Sequence, residues 1–419
     1  MMATLTLDIE SIAAGGDGVA RHDGLVVFVP RSAPGDHVVV AVTQRGRLGR
    51  GSIVHVEQAG ADRVEPDCVH YNADGCGGCQ LQHLSLVAQR AAKGQIIADA
   101  FRRIGHRTVA APEVRAGARA WRYRRKLSLA LRRSSGAWTA GLRAHDDPDR
   151  IIPFTDCLIT ESRVVEIWHE ILAASECLPD AHELRGSVLM LGAGTGAGIP
   201  GRASFTLEGA SDWPRHAEFF DVVRSLDALS WMRAGGSRRL LHDRRTSSTA
   251  PSASFTQVNP EIAEALKSHV LATVRAYKPR SVIDAYSGSG DVAVALATSG
   301  AHVTAIELDA DASRYCASRL PEGSRAIRGR VEDAMGGALP ADVVILNPPR
   351  AGVDARVTAH LNTEHRAKAI VYVSCDPATL ARDLNRMPEW RIASLTAFDM
   401  FPQTAHVETV CELVPVAAA

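Results

Sequence analysis

The stretch Val282-Ile283-Asp284-Ala285-Tyr286-Ser287-Gly288-Ser289-Gly290-Asp291 reads as a strand, a glycine turn and the start of a helix. Glycines at the turn let the backbone come close to a ligand. Glu307 closes the next apolar run, where a carboxylate can accept the hydroxyls of a ribose. A glycine loop with a strand-terminal acid indicates an adenosine-containing ligand. No third glycine completes a dinucleotide fingerprint, which favours S-adenosylmethionine over NAD. The cofactor candidates that this stretch gives by itself are Gly288 and Glu307.

Working outward, Asn259-Pro260-Glu261 starts a helix, with Asn as cap and Pro as first helical residue. Ile262, Leu266, Val270 and Val274 then recur at helical spacing. Strands are expected at 281–285, 302–308, 326–329, 342–346, 369–374, 392–400 and 408–416, alternating with helices. That alternation gives an α/β fold with a doubly wound, mostly parallel sheet. The last two runs have no helix between them, so an antiparallel hairpin should close it. The pattern resembles the class I (Rossmann-like) methyltransferase fold. A second glycine-rich run, 192–198, is followed by Pro200 and Gly201 rather than an amphipathic helix, and reads as a loop between antiparallel strands.

Two strand ends carry chemistry. One is Asn347-Pro348-Pro349-Arg350; the other is Tyr372-Val373-Ser374-Cys375-Asp376-Pro377. A thiol at the carboxyl end of a parallel strand, in a cofactor-binding domain, is where a nucleophile would be placed. Uracil C5 is a poor nucleophile. Adding the thiolate of Cys375 at C6 would make C5 enolate-like, able to attack an electrophilic methyl group. A base must then remove the C5 proton. Glu408, at the start of the last strand, is the candidate, although a lone acid at a strand end also reads as a plain surface residue.

Upstream, short strands at 5–9, 25–30, 37–43 and 51–57 are separated by turn signals at Gly15-Gly16-Asp17-Gly18 and Ala33-Pro34-Gly35-Asp36. About five short strands in this length suit an OB-like barrel, a frequent RNA-binding scaffold. A helical stretch follows at 84–104, and 120–245 reads as a mainly antiparallel β domain. Arg119, Arg122, Arg124, Arg125, Lys126, Arg132 and Arg133 crowd one segment with Trp121, Tyr123 and Trp138. Cations interleaved with aromatics suit single-stranded nucleic acid, and equally a solvated arginine-rich strand. The domains are read as 1–60, 61–250 and 251–419.

The chain has eight cysteines. Cys68, Cys76 and Cys79 cluster, and Cys157 lies apart. Four soft ligands suit either zinc or a [4Fe–4S] cluster, and thiols alone do not choose between them. Cys177, Cys316 and Cys411 read as buried cysteines. No run approaches the ~18 apolar residues of a membrane span, and no signal-peptide pattern opens the chain. A cytoplasmic monomer is expected. Lys plus Arg and Asp plus Glu both number 47, so overall charge does not announce a nucleic-acid partner.

Together these residues resemble the RNA uracil-C5 methyltransferase family, in particular its ribosomal-RNA branch, over nearly the whole chain. Gly16-Asp17-Gly18-Val19-Ala20, Phe28-Val29-Pro30 and Pro34-Gly35-Asp36 resemble a TRAM domain. The set Cys68, Cys76, Cys79 and Cys157 is similar to the family's [4Fe–4S] ligands, which moves the choice from zinc to iron–sulfur. Phe255-Thr256-Gln257-Val258-Asn259 resembles a cofactor motif and adds Gln257, and the resemblance implies that Tyr286, Asp291 and Glu307 stand at cofactor-contact positions. Tyr123-Arg124-Arg125-Lys126 resembles a strand at the start of the family's central domain. Ser374-Cys375-Asp376-Pro377 with Thr379-Leu380-Ala381-Arg382-Asp383 implies that Cys375 is the nucleophile, and His406-Val407-Glu408 implies that Glu408 is the base. The resemblance implies methylation of a uridine in RNA, with 23S ribosomal RNA ahead of transfer RNA. There are departures. Asn347 stands where Asp is usual, Asp291 where Asn is usual, and Arg330 where a polar cofactor contact is common. The interval from Cys68 to Cys76 is longer than usual.

Two rival readings follow from the same residues. Asn347-Pro348-Pro349 resembles the grip of amino methyltransferases on exocyclic amines, but Arg350 replaces their stacking aromatic and they have no use for Cys375. A non-catalytic RNA-binding iron–sulfur protein of the same fold would not need both Cys375 and Glu408.

Overall fold

The computed structural model describes residues 2–192, 202–233, 235–245, 257–362 and 367–416. The glycine run from 193 onward, Phe255, Thr256 and the 417–419 tail lie outside the described residues.

The carboxyl-terminal sheet carries β1 (Ser281–Ala285), β2 (His302–Glu307), β3 (Arg325–Arg328), β4 (Val343–Leu346), β5 (Ala369–Ser374), β6 (Trp390–Phe398) and β7 (Glu408–Pro415). Their order is β3-β2-β1-β4-β5-β7-β6. β1 to β5 are mutually parallel, and β7 runs antiparallel between β5 and β6. The expected closing hairpin is therefore present, with its last strand inserted rather than at the edge. Every residue of β4 and β5 is buried, as continuous β-branched and apolar runs require when helices cover both faces. Strand alternation divides their side chains between two cores. Val344, Leu346, Ile370 and Tyr372 enter one, and Val343, Ile345, Val371 and Val373 the other.

One feature of this layer begins far upstream. Helix Leu86–Arg103 packs Ile97 and Phe101 into the core that holds Leu380, Ala381 and Leu384. After it, Val114–Arg115 adds a short parallel strand beside β6. This stretch therefore covers the catalytic sheet before the central domain begins.

The amino-terminal module is one sheet of six strands, in the order Met2–Asp8, His37–Arg45, Leu48–Gln58, Leu25–Val29, Gly18–His22, Ser11–Ile12. Leu7, Val27, Val29, Val38, Val40 and Val42 form its core. The sixth strand beyond the expected five is the two-residue Ser11–Ile12, too short to show a period. The central sheet has seven strands and is antiparallel throughout, except where Ala203–Glu208 pairs in parallel with Leu226–Met232. Helix Ser162–Ala173 buries Trp168 against Phe205 on this sheet, edge to face.

Candidate active site

Cys375 follows the last residue of β5, at the carboxyl edge of the parallel strands. Asp376 caps the next helix, Pro377–Asn385, accepting from the Ala378 and Thr379 amides at 2.9 and 3.1 Å. The chain therefore turns sharply at the thiol and leaves it half-buried. Ser374 is paired with Thr409 across β5 and β7. The pairing stops there; Cys375 and Glu408 are the next residues on the two chains, close enough for the Glu408 charge to act on the thiol. Glu408 is only 4% exposed. Burial pushes its carboxyl up to about 7, opposed by the Arg350 charge and a hydrogen bond from Gln257. Burial likewise pushes the Cys375 thiol up. The Glu408 charge adds to that rise, and Arg350 opposes it by charge and by a hydrogen bond to the thiol. Thiol, carboxyl, guanidinium and the Gln257 amide thus meet at one point.

The glycine turn opens beside this point. Asn347, exposed at the end of β4, donates its backbone N–H to the Ala285 carbonyl at 3.2 Å. Tyr286 and Gly288 both adopt left-handed backbone, φ 63 and 55. Nothing lies within 4 Å of where a Gly288 Cβ would sit, so a ligand can approach that backbone closely. Glu307 accepts from the Gly288 amide at 2.9 Å and the Asp309 amide at 2.7 Å. These bonds fix its carboxylate at the rim and leave lone pairs for ribose hydroxyls. Asp291 is paired with Arg319 at 2.8 Å. The turn and rim acid suit an adenosine ligand. Gly290, φ 83, packs over Cys316: a Cβ there would sit 2.2 Å from the Cys316 sulfur. Gly290→Ala is therefore expected to cost about 1–3 kcal/mol of stability and to weaken S-adenosylhomocysteine binding. Thermal melting and ligand titration check this, and a variant that melts and binds like the parent contradicts it.

The four predicted ligand cysteines, 68, 76, 79 and 157, line one cavity of about 270 Å3. The Gly78 amide donates to the Cys76 sulfur at 3.5 Å. Burial raises the Cys76 and Cys157 thiols and pushes Cys79 up to about 12, and neighbouring cysteines add to the rise in each case. Among the described residues, no three His, Cys, Asp or Glu side chains are arranged to hold a single metal ion.

Comparison with known proteins agrees with this geometry. Residues 321–414 match the tRNA (Uracil-5-)-methyltransferase family model, and residues 3–54 match the TRAM domain. An RNA methyltransferase of Protochlamydia amoebophila is 29% identical over 97% of this chain and 96% of its own. The 23S rRNA (uracil(1939)-C(5))-methyltransferase RlmD of Chromohalobacter salexigens is 31% identical over 96% of this chain and 88% of its own. The chain belongs to the S-adenosylmethionine-dependent RNA uracil-C5 methyltransferases. In fold, this methyltransferase also matches the tRNA (uracil-54, C5)-methyltransferase of Pyrococcus abyssi, solved with S-adenosyl-L-homocysteine. The TM-score is 0.68 at 22% identity, covering 98% of this chain and 100% of that one.

One residue of the methyltransferase site escapes a reading of the sequence. Arg350 reads there only as the residue that spoils an amino-methyltransferase motif, yet it touches Cys375. The loop that carries it is anchored by Asp383, which is fully buried. Asp383 accepts from the Tyr372 hydroxyl at 2.6 Å and from the Val353 amide at 2.9 Å. Thr379 and Arg382, on the same helix, donate to the Arg350 and Ala351 carbonyls at 3.1 and 2.7 Å. The loop after β4 is thereby lashed to the helix after Cys375. In the basic segment, Arg122 bonds Asp156, Arg132 bonds Glu183, Arg133 bonds Asp180, and Tyr123 is buried.

No described helix is long and apolar enough to cross a membrane.

Proposed function

We propose that this methyltransferase acts on a uridine of ribosomal RNA, with Cys375 as nucleophile and Glu408 as base. The observation that supports the reading is the proximity of the Cys375 thiol, the buried Glu408 carboxyl and Arg350, just beyond the Ser374–Thr409 pair of β5 and β7. Ribosomal RNA is preferred to transfer RNA because the relative at 31% identity bears that name, whereas the likeness to the transfer-RNA enzyme, at 22%, supports fold alone.

In this reading Gln257, Tyr286, Gly288, Asp291, Glu307 and Asn347 surround S-adenosylmethionine, which supplies an electrophilic methyl group. Glu307 takes the ribose, and Asn347 offers amide hydrogen bonds where the family usually has Asp. Arg350 offsets the cost of the Cys375 thiolate in a half-buried site. The sulfur bonds to C6, and the C5=C6 electron pair moves onto C5, which would take the methyl group as its bond to the sulfonium breaks and S-adenosylhomocysteine leaves with that electron pair. Glu408 then removes the C5 proton. The released pair re-forms C5=C6 and expels the Cys375 thiolate. The target base must be swung out of its stack to reach this edge.

RNA containing 5-fluorouridine tests the reading, because fluorine at C5 cannot leave as a proton does. The protein with S-adenosylmethionine should trap itself covalently on such RNA, and absence of an adduct would favour the rivals.

The cysteine cavity is proposed to hold a [4Fe–4S] cluster. Four thiols line one cavity, the number and softness of donors such a cluster takes, and the set is similar to the family's cluster ligands. Anaerobically purified protein is expected to carry about four iron and four sulfide per chain, lost on Cys157→Ser. One zinc without sulfide would overturn this assignment.

A further inference from the structure

Glu408 owes its backbone position to the loop that precedes it, residues 399–407, and that loop is held from a distance. Gln403 is the hub. Its backbone N–H donates to Gln89 Oε1 at 2.9 Å, and its side-chain Oε1 accepts from Gln89 Nε2, also at 2.9 Å. The Gln403 carbonyl accepts from the Gln80 and Leu81 amides at 3.2 and 3.0 Å. Both glutamines are buried, at 1% and 3% exposure. Gln403 has φ 71, a left-handed conformation that a side-chain-bearing residue keeps only when its surroundings impose it. Two further anchors flank the hub. Lys93, fully buried, bonds Asp399 and the Phe401 carbonyl, and the Tyr123 hydroxyl donates to the Pro402 carbonyl at 3.0 Å.

We infer that the Gln89–Gln403 pair is a positioning device for the base: it holds the strained 399–407 loop so that Glu408 reaches the C5 proton. The inference rests on the proposed role of Glu408. Gln89 touches neither Cys375 nor the glycine turn in any recorded contact, so its loss should leave nucleophile and cofactor site in place. Proton removal needs hydrogen-bond reach, whereas attack at C6 and methyl capture do not involve Glu408. A displaced loop should therefore slow the last step selectively. Gln80 directly follows Cys79, so the same hub joins the cysteine cage to the catalytic edge.

Gln89→Met keeps the shape and removes both hydrogen bonds to Gln403, together with the one from Gln89 Nε2 to the Leu84 carbonyl at 3.0 Å. With S-adenosylmethionine and ordinary uridine RNA, this variant should turn over roughly tenfold more slowly. S-adenosylhomocysteine affinity should stay within about twofold, and a denaturant-resistant protein–RNA adduct should accumulate above the parent's level. Unchanged turnover without adduct overturns the inference. So does a joint fall of adduct and cofactor binding, which marks general disruption. Glu408→Gln, run alongside, separates the two levels. If it accumulates adduct and Gln89→Met does not, positioning alone has failed. If Glu408→Gln turns over normally, the role of Glu408 has failed. Should Gln89→Met not fold, Gln403→Gly removes the amide pair and relieves the left-handed strain while keeping the backbone bonds, and the same readouts apply.

Discussion

Cys375→Ala is expected to lower methylation by roughly 10^4-fold or more, the scale seen when a covalent nucleophile is removed, and to abolish the adduct with 5-fluorouridine RNA. Without sulfur at C6, the C5 carbon never becomes electron-rich, and no neighbouring group can substitute. Arg350 offers no nucleophilic atom of comparable strength, and Glu408 is a weak, mostly buried nucleophile on the partner strand. Cofactor binding should persist. Cys375 lies at the end of β5, the glycine turn follows β1, and β4 stands between them. S-adenosylhomocysteine should therefore bind the variant within about twofold of the parent, since this thiol contributes to the transition state rather than to ground-state binding. Adduct formation by the variant, or methylation at parental rates, would remove the covalent mechanism and leave the amino-methyltransferase rival in front.

The parts of this site that sequence could show are those encoded locally. Val343 to Leu346 and Ala369 to Ser374 are unbroken apolar runs, so both strands and their carboxyl ends were legible, and with them Asn347 and Cys375. The glycine turn announces itself through residues that must take left-handed backbone. Glu408 was ambiguous because one acid at a strand start has no local signature. Its meaning comes from the return of β7 between β5 and β6, a tertiary fact. Arg350 was hidden for a similar reason: the loop that carries it is tied to a later helix through Thr379, Arg382 and the buried Asp383. The Gln89–Gln403 pair joins residues 314 positions apart, and amide pairs leave no periodic trace. For the basic segment, composition registers the arginines but not the acids that Arg122, Arg132 and Arg133 meet.

Glu408→Gln separates the chemical steps most sharply. Glutamine keeps the shape and cannot accept the C5 proton, so attack and methyl capture should proceed and release should stall. Turnover is expected to fall by about 10^2 to 10^4-fold, with the methylated protein–RNA adduct as the accumulating species. The pH dependence follows from burial. The carboxyl titrates at about 7 rather than 4.5, and the base is the ionised form. Parental turnover should therefore rise with pH through about 7 and then level, a limb the variant should lack. The same shift acts on stability with the opposite sign. A pKa raised on folding contributes stability that is fully present below about 4.5 and lost as pH rises through about 7. The cost of holding the buried charge above that range is on the order of 3 kcal/mol. Asp284, fully buried and also pushed up to about 7, acts in the same window, so only the difference between parent and variant isolates Glu408. The variant should match the parent in denaturant unfolding near pH 4 and exceed it near pH 8. A protein that becomes less active and more stable by one substitution is storing free energy at its base, whereas equal stability at both pH values would mean that Glu408 titrates like a surface acid and cannot be tuned for this proton.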